Sequence, residues 1–155
     1  MPADLADVRQ MLEEYVAWIG LDLAFQQIDE ELAGLPGEYA PPGGAMFVAD
    51  LGGVLVGMVA IRPLTAAARG EAITTRIAEM KRLYVRPAAR GRGLAKRLID
   101  HALQGAKRLG YEEVRLDTLP MMRDAQALYL SLGFVDIEPY YDTPIEGTRF
   151  MSKTL

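Results

Sequence analysis

A chain of 155 residues, half of them apolar and a quarter charged, has the size and balance of one soluble domain with a single core, spanning residues 1–155. Its longest apolar run, about eight residues in the segment 54–61, is too short to cross a bilayer, and the opening P-A-D-L-A-D-V lacks a signal-peptide pattern, so the expectation is a cytoplasmic protein with no membrane partner. The absence of cysteine excludes disulfides and thiolate zinc sites. The net charge of −4 hides a polarity: residues 1–50 hold ten acids against Arg9 alone, while residues 81–97 hold seven bases and no acid.

Asp4 is placed to cap a helix, and Leu5, Val8, Leu12, Tyr15, Val16 and Ile19 follow at helical spacing. A shorter helix fits residues 25–35 and closes at Pro36-Gly37, after which A-P-P-G-G breaks the chain. Residues 46–51 and 54–64 read as two strands of a hairpin turning at Gly52-Gly53. The second is apolar on both faces and belongs in the middle of a sheet. Residues 65–75 read as a loop.

In the next strand, Ile77–Val85, the alternation slips. Ala78 and Met80 share one face, Leu83 and Val85 the other, with Lys81-Arg82 between them. One extra residue would bring all four to one side, which predicts a β-bulge near Lys81-Arg82. A helix over residues 93–109 follows, closed by Gly110. Gly105 inside it should cost up to about 1 kcal/mol relative to Ala. A strand at 114–119, a helix at 123–132 ended by Gly133, and strands at 134–140 and 148–153 complete the order α-α-β-β-β-α-β-α-β-β. This is an α/β (α+β) chain built on a mixed sheet.

The turn V-R-P-A-A-R-G-R-G-L-A-K-R, between a strand and a helix, is built for an anion. A helix N-terminus presents unpaired N–H groups and partial positive charge. Glycines admit close approach, and arginines add charge-assisted hydrogen bonds. A pyrophosphate suits it best. A dinucleotide fingerprint would need Gly or Ala where Lys96 stands, and no P-loop spacing is present.

The segment Pro87-Ala88-Ala89-Arg90-Gly91-Arg92-Gly93-Leu94-Ala95 resembles the Arg/Gln-x-x-Gly-x-Gly/Ala fingerprint of the GNAT superfamily of acetyl-CoA-dependent N-acetyltransferases. Ala125-Gln126-Ala127-Leu128-Tyr129-Leu130-Ser131-Leu132-Gly133-Phe134 resembles that superfamily's second signature, in the usual order and at the usual separation. The resemblance covers roughly residues 46–153. It implies a largely antiparallel, twisted sheet flanked by about four helices. Two departures stand out: Met122 takes the place of an asparagine that often contacts the pantetheine arm, and the superfamily's first strand is short or absent, since Asp4 already starts the helix.

The resemblance also implies roles. Acetyl-CoA would be the co-substrate, with its pyrophosphate on Arg90, Gly91, Arg92, Gly93, Leu94, Ala95 and Lys96. Its pantetheine would meet the bulged backbone of Leu83, Tyr84 and Val85 together with Met122, Ala125 and Leu128. An amine attacks the thioester directly, so no covalent intermediate and no metal are required. Tyr129 is the candidate acid, because a phenol is neutral at pH 7 and can donate to sulfur. Glu79 is the candidate base, acting through water, with Asp117 its rival. Either carboxylate could instead be held in an ion pair, for Glu79 with Arg76 or Arg115. His101, mid-helix, reads as structural. Tyr140-Tyr141-Asp142 falls where such enzymes shape the acceptor site.

The expected partner is a small-molecule or peptide amine, and the acidic N-terminal third points to a cationic one. The rival reading is an acyl-CoA-sensing module without turnover. Nucleic acid is disfavoured by the net charge and by the distance in sequence between Trp18 and the basic turn. The strand at 46–51 would leave an exposed edge, which predicts a homodimer or a covered edge.

Overall fold

The computed structural model describes residues 5–21, 28–64 and 76–155. The helix cap expected at Asp4, the first part of the helix expected at 25–35, and the loop expected at 65–75 lie outside the described residues. The elements are α1 (Leu5–Ile19), α2 (Ile28–Gly34), β1 (Ala45–Leu51), β2 (Val54–Pro63), β3 (Ile77–Val85), α3 (Leu94–Arg108), β4 (Glu113–Thr118), α4 (Arg123–Ser131), β5 (Val135–Ile137) and β6 (Arg149–Thr154). Single 3₁₀ turns at Gly37–Tyr39 and Pro87–Ala89 were not anticipated from sequence.

The six strands form one sheet in the order β1-β2-β3-β4-β6-β5. Every pairing is antiparallel except β3 with β4. The apolar stripe of α1 (Val8, Met11, Leu12, Tyr15, Ile19) packs with Met58, Ala60 and Tyr84 on one face. The stripe of α3 (Leu94, Leu98, Ile99, Ala102, Ala106) packs with Val59, Ile61, Ala78 and Met80 on the other. A strand apolar on both faces needs two such covers, which is why β2 is central.

The bulge is where the alternation slipped. Met58 pairs with Tyr84 and Ala60 with Lys81, so Arg82 and Leu83 together oppose Val59. Arg82 takes φ 63°, a left-handed conformation uncommon for a side chain with a Cβ. The extra residue returns Leu83 and Val85 to the α3 side with Ala78 and Met80. Lys81 and Tyr84 fall on the α1 side.

Two expectations are corrected. The strand expected at 134–140 is only Val135–Ile137, and Pro139, which has no N–H for a ladder, follows closely. Gly105 is more than a helix weakness: a Cβ there would lie 2.5 Å from Phe47 Cζ, so the glycine lets the β1 phenyl ring press onto α3. Among the described residues β1 and β5 are the outer strands, and Met46, Phe47 and Val48 of β1 are half-buried. No helix among them is long and apolar enough to cross a membrane.

Candidate active site

The parallel pairing of β3 and β4 lasts three residues, Ile77–Glu79 against Glu113–Arg115. Beyond it the strands part, β3 staying with β2 and β4 with β6. The bulge turns β3 away at that point, and a cleft of about 210 Å³ opens between them. Because neighbouring residues on a strand point to opposite faces, both sides of the sheet reach it. Met80, Leu83, Ala125 and Tyr129 line it from the α3–α4 side, and Tyr15, Trp18, Lys81 and Asp117 from the α1 side.

Tyr129 is held by its ring against Phe134, centroids 5.5 Å apart, near the end of α4. Burial, with Tyr15 and the Asp117 charge adding to it, pushes its phenol well above the ordinary range, so it keeps its proton at neutral pH. A neutral phenol in the cleft wall has a proton it can donate. Thr118 Oγ1, in the same cleft, is buried without a hydrogen-bond partner among the described residues.

The glycine turn is joined to the cleft through Trp18, which lines the cleft and has the Arg90 guanidinium against its ring. Gly91 and Gly93 have φ 81° and 74°, and a Cβ on either would meet nothing within 4 Å. Their need for glycine is therefore first conformational, and the space beside them is open. Gly93 caps α3 with no side-chain bond, and the first intrahelical bond runs from Arg97 N to its carbonyl. The amides of Leu94, Ala95 and Lys96 precede that bond and point outward. Arg92 and Arg97 are exposed, without side-chain partners among the described residues. Lys96 pairs with Asp100 at 2.8 Å. Arg90 turns away from the helix end: its Nε donates to Val85 O at 2.9 Å and its guanidinium lies 5.0 Å from the Trp18 ring. Trp18, distant in sequence, thus sits between turn and cleft.

Arg82 and Arg86 meet the acidic N-terminal third. Arg82 forks onto Glu31 at 2.8 and 3.0 Å, and Arg86 onto Glu14 at 3.0 and 3.1 Å. These two acids, of the ten in residues 1–50, hold α1 and α2 to the sheet.

The two carboxylates differ. Glu79 accepts from Arg62 Nε at 3.0 Å and Tyr140 OH at 2.7 Å, one on each oxygen, and lies where β3 and β4 are still paired, outside the cleft lining. Its partner is neither Arg76 nor Arg115 but Arg62, directly opposite on β2. Asp117 lines the cleft, accepts from Tyr141 OH at 2.6 Å on Oδ2, and turns Oδ1 toward Lys81 Nζ, 3.8 Å away. Of the remaining expected residues, Met122 lines the cleft, Tyr84 stacks edge-on against Tyr15, Leu128 packs into the core outside the cleft lining, and His101 is exposed on α3. Sequence reading missed Tyr15, Lys81 and Thr118. The bulge was the available signal for Lys81.

The Acetyltransferase (GNAT) family model matches residues 6–134. An uncharacterized N-acetyltransferase of Schizosaccharomyces pombe is 41% identical over 152 residues, 97% of this chain and 88% of that protein. An acetyltransferase of the GNAT family from Staphylococcus aureus has a solved structure similar to this one with a TM-score of 0.74 at 19% identity, covering 96% of this chain and 93% of the other. The PaiA N-acetyltransferase of Thermoplasma acidophilum, solved in complex with coenzyme A, gives 0.74 at 20% identity, covering 99% and 94%. At these identities the two structures testify to the fold.

Proposed function

The chain belongs to the acetyltransferase (GNAT) family and is an acetyltransferase, and on that premise we propose that it moves the acetyl group of acetyl-CoA to a primary amine by direct attack in a ternary complex. The observation that carries the reading is the cleft where β3 and β4 part, with Tyr129 in its wall and Trp18 linking it to the turn that opens α3. The residues fit the co-substrate. The turn at Arg90, Gly91, Arg92, Gly93, Leu94, Ala95 and Lys96 offers outward amides and open space to a pyrophosphate. The unpaired edge of β3 along Leu83, Tyr84 and Val85, with Met122 and Ala125, offers a trough for the pantetheine arm.

In this reading the amine enters from the α1 side and the thioester from the α3 side. Asp117 takes one ammonium proton, and the nitrogen–carbon bond forms as the carbon–sulfur bond breaks. The leaving thiolate takes the Tyr129 proton. The second nitrogen proton, lost as the amide forms, restores the phenol through solvent. Asp117 is preferred to Glu79 as base because it lines the cleft. Glu79 is assigned to orienting Tyr140, whose phenol its own burial and the Glu79 charge hold protonated.

Consumption of acetyl-CoA across a panel of amines tests the activity. Tyr129→Phe should lower kcat about 100-fold or more while acetyl-CoA affinity holds, because the hydroxyl acts only as the thiolate forms. Unchanged turnover would return Tyr129 to a packing role. The outer strand β1 also supports a homodimer through its free edge. Sedimentation across a concentration series should show self-association, and a monomer at tens of micromolar with slow hydrogen exchange along β1 would exclude it.

A further inference from the structure

We infer that Lys81 and Asp117 together read a zwitterion, and that the acceptor is a free α-amino acid, whose amine lies beside Asp117 and whose carboxylate lies on Lys81. The inference rests on the acyl-transfer reading of the cleft and names the acceptor within it. The two side chains are almost wholly inside the protein, 5% and 7% exposed, yet their charged ends stand 3.8 Å apart, beyond hydrogen-bond distance. Lys81 donates no hydrogen bond to any described residue. Asp117 spends Oδ2 on Tyr141 and leaves Oδ1 toward the lysine.

Taking both charges out of water costs several kcal/mol per ion, and a pair returns that cost only with good geometry and filled hydrogen bonds. This pair has neither on its own. A ligand carrying an ammonium and a carboxylate on one carbon would complete it, ammonium against Oδ1 and carboxylate against Nζ. The other charges nearby do not compete. Arg82 is forked onto Glu31, and Glu79 is held by Arg62 and Tyr140. Arg123 and Asp124, which also line the cleft, are exposed at its rim. The buried hydroxyl of Thr118, without a partner among the described residues, is a further polar group lining the cleft. Asp117 is also the proposed base, so the group that holds the ammonium is the group that takes its proton.

The test uses matched pairs: an α-amino acid and the amine left when its carboxylate is removed, each with acetyl-CoA and a free-thiol readout. The wild-type protein should favour the amino acid by about tenfold to a hundredfold in kcat/KM, the span of one charge-assisted hydrogen bond. In Lys81→Met that preference should collapse toward one. Calorimetric titration of acetyl-CoA checks that the variant keeps its co-substrate site. Equal use of both members by the wild-type protein, or an unchanged ratio in a folded Lys81→Met, overturns the inference while leaving acetyl transfer standing. Failure of every amine and amino acid despite tight acetyl-CoA binding overturns both. The matched-pair ratio of the wild-type protein stands even if the variant does not fold.

Discussion

The basic stretch between residues 81 and 97 is two regions with opposite fates. Along β3 and just past it, Arg82 and Arg86 are turned toward the protein and matched with Glu31 and Glu14, which come from far along the chain, while Lys81 faces Asp117 across 3.8 Å in the cleft. Around the start of α3, Arg92 and Arg97 stay in solvent, and the amides of Leu94, Ala95 and Lys96 stay open. Composition cannot tell the halves apart. What separates them is what each lies against: β3 is covered by α1 and α2, while the turn is covered by nothing in the described chain. The two arginines of the first half hold α1 and α2 to the sheet, and the second half is the turn proposed to take the cofactor.

The largest effect should come from breaking the inward half. Arg82→Met leaves the buried Glu31 carboxylate without its fork and should cost about 3–5 kcal/mol in denaturant unfolding. Adding Glu31→Leu should recover most of it. If the double variant is no more stable than the single one, the pair is not what binds α2 to the sheet.

Breaking the outward half should do the reverse. Gly93→Val forces a β-branched residue to φ 74° and fills the space beside the amides. We expect acetyl-CoA affinity to fall at least about tenfold, with a stability loss of only about 1–2 kcal/mol. Unchanged affinity by calorimetry would remove the turn from the cofactor site.

A third glycine sharpens the contrast. Gly105 also lies on α3, but against Phe47 rather than open space. Gly105→Ala should lower stability by about 1 kcal/mol, overpacking outweighing helix propensity, with acetyl-CoA affinity untouched. A raised melting temperature would mean that the ring moves freely.

The smallest effect is a slope. Burial alone would raise the Glu31 carboxyl, but the Arg82 hydrogen bonds and charge outweigh it and hold the group below its ordinary 4.5. A lowered folded-state value means stability that is complete above about pH 4.5 and lost as pH falls through the folded value. Glu31→Gln should flatten that acid limb of the stability profile and leave neutral pH less changed than Arg82→Met does. An acid limb as steep as that of the wild-type protein would assign it to other carboxylates.

Periodicity made the fold legible. A slip of one residue in a pattern of period two located the bulge, and glycines after apolar runs located two helix ends. The glycine turn and Tyr129 were readable because their chemistry sits in contiguous residues. The partners of the charges were not readable, because they depend on register and topology. Glu79 meets Arg62 only because β2 and β3 align those two residues, and Arg86 meets Glu14 only because α1 crosses that end of the sheet. The ranking of Glu79 above Asp117 could not draw on the cleft for the same reason: which strand pair parts, and after which residue, is a property of the assembled sheet.

Trp18 is the chain's sole tryptophan, about half exposed at the cleft, with Arg90 5.0 Å from its ring and Tyr84 6.1 Å beyond. All indole emission of this protein therefore originates beside the site where cofactor and acceptor are proposed to meet. A cation resting on the ring, and a half-wet environment, are both conditions that a bound molecule alters. The protein carries its own optical probe: its emission maximum and intensity can follow occupancy of the cleft in real time, with no label and no coupled enzyme.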